Sequence, residues 1–492
     1  MPDPLKAIQR TSAFRGAILT VSMRWVDRLI GLASTMILAR LLVPEDFGLV
    51  AMAMVIVGLL DVLLDLGVAS ALIQNTRADA EDFHTAWTLR LLQSAATALL
   101  LVVSAPFAAD YYNDDRVELI IQVVAITAFV GGFENIGTVS FQKNMEFGRD
   151  FRFFTLRRIA GVLFTIPAAL LLQSYWALVL GSLLSRVAGV GLSYWMSSFR
   201  PRLSLARLSQ IWWFSQWNLL LAVGNYLQNA FGRFIVGRRA DAATVGAYSV
   251  GEEIAMLPTT ELLAPLGRVM FPVFAIAKHD PAELLRVVSL SLSVQALMAI
   301  PAGIGLALVA EDAIPLLLGW NWMSAVPYVQ IIALASIATT LSHSGTYMLI
   351  ALGRMKTVCA IAWARVLLLV ALVVLVFPGT GARGVALCVL ATAFGGFAAL
   401  QILSRRALAG FGIREIVRQV WRPMIATTVM AGTVLAVSRT LGDSSIVMRL
   451  PVEVGAGVVT YAVTLVALWR SAGAPAGAET YLLDKLRGRF LP

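Results

Sequence analysis

Histidine and cysteine are almost absent from this chain, and charge is scarce. The three histidines, His84, His279 and His343, are scattered along the sequence. They form no pair with metal-ligand or nucleophile–base spacing. Cys359 and Cys388 both lie inside apolar stretches, with neither metal-site spacing nor a disulfide framework. No G-x-x-x-x-G-K-[ST] run occurs, which argues against ATP hydrolysis by this chain. No Ser/His/Asp constellation emerges either, so an enzyme is not expected, and no cofactor or metal is called for. Charged residues are only 14% of 492, against about 25% in soluble domains. With 59% hydrophobic residues and a mean hydropathy of +0.79, that shortage excludes an ordinary soluble protein.

What is abundant is apolar sequence in long runs. Fourteen segments stand out, near 15–42, 46–74, 83–109, 117–141, 153–173, 175–198, 211–237, 245–272, 285–310, 322–351, 356–377, 383–404, 420–438 and 448–469. Each approaches the roughly 20 residues a helix needs to span a bilayer. The expected fold is all-α, a polytopic membrane protein of about 14 transmembrane helices. The connections are short and leave no room for a soluble domain. Met1 to Ser12 is polar and the first apolar segment is too long for a cleavable signal, so that segment reads as the first span. Counting Lys and Arg in the connections places 26 on the side of both termini and 7 opposite. Such a bias predicts cytoplasmic termini. It also accounts for the net charge of +10 without a nucleic-acid partner.

An internal repeat sets the expected organisation. Ala39-Arg40 followed by Phe47-Gly48-Leu49-Val50 recurs as Gly237-Arg238 followed by Val245-Gly246-Ala247-Tyr248. The pattern returns between segments one and two and again between seven and eight. It predicts two six-helix lobes in pseudo-two-fold arrangement, as in transporters with parallel repeats. The expected divisions are an N-terminal lobe over 1–199, a linker over 200–214, a C-terminal lobe over 215–408, and two further helices with a tail over 409–492. In the linker, Arg200, Arg202 and Arg207 alternate with Leu203, Leu205, Leu208, Ile211, Trp212 and Trp213. That alternation suits an interfacial amphipathic helix, with a plain basic loop as the alternative.

Charges inside the apolar segments carry the most information. Arg24, Asp27 and Arg28 fall in segment one, Asp61 and Asp65 in segment two, Arg90 in segment three and Glu134 in segment four. Each costs about 2.5–3.5 kcal/mol at a lipid-facing helix centre, so these side chains must face protein or water. At ~1.5 Å per residue, Arg24, Arg90, Asp61 and Asp65 all fall in the cytoplasmic half. The arginines, Arg24, Arg28 and Arg90, suit a pyrophosphate group, because guanidinium matches phosphate oxygens. The carboxylates Asp27, Asp61, Asp65 and Glu134 would hold them when the site is empty, or bind a coupling H+ or Na+. The same charges also serve as structural ion pairs between helices. Segment seven carries Asn218, Asn225, Gln228, Asn229 and Arg233. Its amides suit sugar hydroxyls and Arg233 a further phosphate contact, with interhelical amide bonding as the alternative. Glu252 and Glu253 suit a cation or a solvated helix end.

Several motifs resemble one family when read in order. Ile37-Leu38-Ala39-Arg40-Leu41-Leu42 and Pro44-Glu45-Asp46-Phe47-Gly48-Leu49-Val50 are similar to the opening signature of bacterial polysaccharide flippases. Asp61 and Asp65 before Gly67 and Ala71-Leu72-Ile73-Gln74 match its second helix, and Asn225-Tyr226-Leu227 leads to Arg238 at its spacing. Arg268-Val269-Met270-Phe271-Pro272-Val273-Phe274 and Trp322-Met323-Ser324-Ala325-Val326-Pro327 with Gln330-Ile331 resemble two later elements. The matches cover about 10 to 360; beyond that only hydropathy agrees. The resemblance, to the Wzx-type, colanic-acid-exporter-like branch of the multidrug/oligosaccharidyl-lipid/polysaccharide flippase superfamily, implies two six-helix lobes around a cavity and alternating access. It implies an undecaprenyl-pyrophosphate-linked repeat unit as substrate for exopolysaccharide or lipopolysaccharide biosynthesis, with membrane lipids, a polysaccharide polymerase and a chain-length regulator as partners. A cation-coupled multidrug antiporter of the same superfamily would present an acidic, aromatic cavity instead. A membrane-embedded polymerase would need a large extramembrane loop. At Glu252 and Glu253 the family often has a basic or amide residue, so no anion-binding role is carried over there.

Overall fold

The computed structural model describes residues 25–480 except 66, 76, 209–215, 262–269, 271–272, 443 and 476. Among them every regular element is helical. The helices are α1 (25–41), α2 (Pro44–Leu64), α3 (Val68–Gln74), α4 (Ala80–Tyr112), α5 (Arg116–Gly132), α6 (Val139–Lys143), α7 (Phe147–Leu172) and α8 (Trp176–Met196). They continue with α9 (Gln216–Arg239), α10 (Ala242–Met256), α11 (Pro281–Leu317), α12 (Val326–Ala351), α13 (Met355–Leu375), α14 (Thr380–Ala407), α15 (Ile413–Thr440) and α16 (Ile446–Ser471). Each of the fourteen expected segments is helical over most of its described residues.

Ten spans among the described residues are long and apolar enough to cross a membrane, and the bent pair α5–α6 makes an eleventh. The chain is a multi-pass membrane protein. α9 fails that test because its Asn, Gln and Arg residues lower its hydropathy, and α10 is only 15 residues long. Helix starts are set locally. Asp79 caps α4 by accepting from Asp82 N–H at 3.0 Å, and Asp280 caps α11 by accepting from Ala282 N–H at 2.9 Å. At the start of α14 the backbone departs from helical geometry at Gly381, whose φ of +60° is open to glycine at no steric cost.

The chain divides into two compact units, one of residues 1–226 with 237–246, the other of 227–236 with 247–492. In the first, Leu38 and Leu42 pack on Ala169 and Ala177. Buried Asp46 accepts from Val43 N–H at 3.1 Å and from Tyr175 N–H at 2.7 Å, joining the start of α2 to that of α8. Before α5, Arg116 pairs with Glu45 and Asp114, both at 2.8 Å. Hydrogen bonds from Arg116 hold the Asp114 carboxyl below its ordinary range.

The two repeat glycines meet within this unit. A methyl on Gly48 would overlap the Ala242 carbonyl oxygen, and one on Gly246 would overlap that of Pro44. Backbone therefore lies against backbone where the repeats cross. Gly48→Ala or Gly246→Ala should destabilise the purified protein by about 3 kcal/mol in thermal unfolding. Gly148→Ala, which meets nothing within 4 Å, should be neutral.

The linker differs from its expectation. Residues 197–205 are not helical. Their backbone donors go to α4 instead: Arg202 N–H to His84 Nδ1 at 3.0 Å and Ser204 N–H to Thr88 Oγ1 at 2.9 Å. Those side chains give the non-helical backbone the partners a helix would have supplied internally, so an interfacial helix does not begin there. Residues 209–214 of the expected linker lie outside the described residues.

Candidate functional site

The fourth apolar segment is broken where its charge stands. α5 ends at Gly132, and the chain bends by 64° before continuing through Ile136 into α6. Broken helices inside a membrane expose backbone groups that must find partners. Here Asn135 N–H donates to Ser193 Oγ at 2.9 Å, and the Asn135 amide donates to the Phe199 carbonyl at 2.7 Å. Its Oδ1 in turn accepts from Gly137 N–H at 2.8 Å. These bonds tie the break to α8 and to the segment that follows it.

Glu134, at the bend, is 4% exposed. Three arginines from three helices converge on it: Arg90 of α4 at 3.0 Å, Arg157 of α7 at 3.4 Å and Arg186 of α8 at 3.9 Å. Each arginine lies ten residues from the end of its helix, at Ala80, Phe147 and Met196 respectively. At ~1.5 Å per residue that is one common depth of about 15 Å. The three arginines of the knot line a cavity of about 390 Å³ within the first unit, together with Asp61, Gln93 and Thr127. Three guanidinium groups face two carboxylates, leaving one positive charge in excess. Two hydrogen-bonding ends of every guanidinium cannot all be satisfied by one Glu134, so the arrangement can accept an anion with several oxygens.

The expected belt is therefore partly assembled. Arg90 and Asp61 line this cavity, and Glu134 stands behind it as the partner of Arg90. Asp27 does not join them; it pairs with Arg158 of α7 at 3.5 Å. Asp65 instead terminates α2, its Oδ1 accepting from Gly67 N–H at 2.9 Å, with Gly67 at φ +61°. Arg28 lies half-buried on α1 and is not among the residues lining the cavity. Arg24 lies outside the described residues. Arg157 falls near the polar edge of the apolar segment over 153–173, and α7, which begins earlier at Phe147, carries it inward. Arg186 was overlooked, although a lone arginine in the middle of the sixth apolar segment was itself the signal.

In the second unit, Arg233 pairs with buried Glu252 at 3.3 Å. Glu252 is thus neither a solvated helix end nor free for a cation. Gln228, with its amide oxygen turned to Arg365 of α13, accepts from Nε at 2.8 Å. Arg365 is a second mid-segment arginine that the sequence reading passed over. Asn229, in this unit, and Asn225, in the first, are exposed on α9, and the Asn218 side chain lies outside the described residues. Among the described residues no group of three or more His, Cys, Asp or Glu could hold a metal.

Comparison with known proteins adds three findings. The family described as polysaccharide biosynthesis protein matches residues 37–327. The chain is 24% identical to the lipopolysaccharide biosynthesis protein WzxC of Escherichia coli strain K12, over 80% of this chain and 81% of that one. It is 24% identical to the teichuronic acid biosynthesis protein TuaB of Bacillus subtilis strain 168, over 82% and 85%. Its fold is similar to that of the lipid II flippase MurJ in an inward closed conformation, with a TM-score of 0.74 at 13% identity, over 93% of this chain and 99% of that chain. An inward-facing multidrug MATE transporter shares the fold less closely, at a TM-score of 0.63 and 16% identity, over 80% and 98%.

Proposed function

We propose, from the premise that this chain belongs to the polysaccharide biosynthesis protein family, that it flips an undecaprenyl-pyrophosphate-linked oligosaccharide repeat unit from the cytoplasmic to the periplasmic leaflet. The coarser statement is secure: it is a flippase-type transporter of polysaccharide biosynthesis and not an enzyme.

One observation carries the finer reading, the convergence of Arg90, Arg157 and Arg186 on Glu134 beside a cavity. A pyrophosphate offers several anionic oxygens that guanidinium groups bind as charge-assisted, often bidentate, hydrogen bonds. Glu134 holds the arginines in register while no substrate is present, and the headgroup then replaces it as their partner. Gln93, Ser94, Thr97, Ser182 and Ser185 lie around the same cavity and offer sugar hydroxyls amide and hydroxyl partners. The prenyl chain would remain in lipid, where its transfer costs nothing. A cavity with excess positive charge disfavours the organic cations that a drug antiporter carries. Alternating access of the two lobes would move the headgroup between leaflets, with a proton or sodium gradient as the driving force. The Lys and Arg bias supports an inner-membrane protein with cytoplasmic termini, working beside a polymerase and a chain-length regulator.

In a host lacking this gene, lipid-linked repeat units should accumulate facing the cytoplasm, detectable by leaflet-selective labelling. Wild-type protein should clear them. If the units still reach the periplasm in that host, the assignment is wrong.

A further inference from the structure

A second set of buried charges lies in the other unit, in the last helices of the chain, and no transport role has absorbed it. Asp312 is near the end of α11 and is 5% exposed; Glu453 is about two turns into α16 and is 2% exposed. One guanidinium serves both. Arg449 donates through Nε to Asp312 Oδ2 at 2.6 Å and through Nη2 to Asp312 Oδ1. Its Nη1 donates to the Gly442 carbonyl at 3.1 Å. Arg449 is thus committed to Asp312 as a fork. Glu453 Oε1 lies 4.0 Å from Arg449 Nε, beyond hydrogen-bonding distance. That oxygen is buried and has no hydrogen-bond partner among the described residues.

Beyond Arg449, already committed to Asp312, and the Ser438 hydroxyl, the surroundings offer little to balance it. α11, α15 and α16 pack here through Val309, Ala313, Val434 and Leu450. On α11 the charged groups are Asp312 and exposed Glu311; on α15 they are exposed Arg439, with the neutral hydroxyl of Ser438 beside Glu453; on α16 there is Arg449. Two carboxylates against one guanidinium leave a net negative charge in an apolar seam, which is costly unless neutralised. One added proton makes the group neutral and turns Glu453 into a donor.

We propose that Glu453 is a proton-binding site, and that a single proton held between Glu453 and Asp312 fastens α15 and α16 to α11. The Arg449 side chain is 19% exposed, so water reaches the edge of the site and the proton can exchange. With the proton gone, two carboxylates would compete for Arg449 and the helix pair would loosen. The ligand is a proton rather than a metal ion, because one acidic oxygen with a hydroxyl neighbour offers too few ligands for a hard cation.

Infrared difference spectroscopy on the full-length protein in lipid nanodiscs tests this. At neutral pH the wild type minus Glu453→Gln spectrum should contain the carbonyl band of a protonated carboxyl, and that band should fade as pH is raised. Asp312→Asn should abolish it too, although Glu453 is intact, because Arg449 is then released to neutralise Glu453. A band that survives Asp312→Asn, or a wild type showing none at neutral pH, overturns the proposal. So does a wild type stabilised by sodium in place of choline, where Glu453→Gln is not. Should Glu453→Gln fail to fold, the wild-type titration and the Asp312→Asn spectrum still decide.

Discussion

Glu134→Ala is expected to destabilise the protein by about 3 kcal/mol and to deplete the folded population. Removing one partner of a buried ion pair costs about 3–5 kcal/mol, because the other charge is left uncompensated. Here three guanidinium groups would be left at once, facing each other across a gap that Glu134 now fills. The lower end of the range applies, since the three arginine side chains are 27–33% exposed and reach cavity water. Thermal unfolding of purified protein measures the loss. Glu134→Gln should fall between, because the amide still accepts hydrogen bonds but carries no charge. An unchanged melting temperature for Glu134→Ala would mean that the knot is not an electrostatic lock.

The second large effect separates folding from transport. Arg186→Ala should leave the folded protein in place and cut transport about 10–100-fold. Arg186 lies farthest from Glu134, at 3.9 Å, so Glu134 retains two nearer partners when it is lost. A hydrogen bond to a charged group contributes about 1.5–3 kcal/mol, and each 1.4 kcal/mol is about tenfold. Arg186→Lys should recover only part of the activity, since an ammonium restores charge but not the planar fork. The readout is periplasmic delivery of lipid-linked repeat units at matched protein levels. Equal delivery by Arg186→Ala and wild type would remove the pyrophosphate from this cavity.

Legibility from sequence varied with the kind of interaction. Arg90, Asp61 and Glu134 were readable because an ionised group in an apolar run is costly wherever it lies, so its presence alone marks an interior position. Their mutual pairing was not readable. Arg90 and Glu134 are 44 positions apart, and nothing local in either segment names the other. Asp65 shows a second role that the spacing alone does not reveal. It stands one turn from Asp61, and with Gly67 two residues on it also forms the turn at the end of α2. The depth of Arg157 was not legible either, because hydropathy locates the apolar centre of a span, while α7 extends well beyond it on the polar side. Arg186 and Arg365 stand alone in apolar runs as Arg90 does, and the same cost marks them as interior positions.

By itself the sequence determined that this is an all-helical, multi-pass membrane protein with charges that must turn away from lipid. That follows because the bilayer imposes one length and one polarity on every span, and both can be summed residue by residue. Tertiary structure decided which charges meet: three arginines on Glu134, Asp27 on Arg158, Arg449 between Asp312 and Glu453. Such partnerships depend on helix rotation, on the bend after Gly132 and on contacts between distant segments. Only packing in three dimensions settles those, because Coulomb and hydrogen-bond energies act over a few ångströms of space and are blind to separation along the chain.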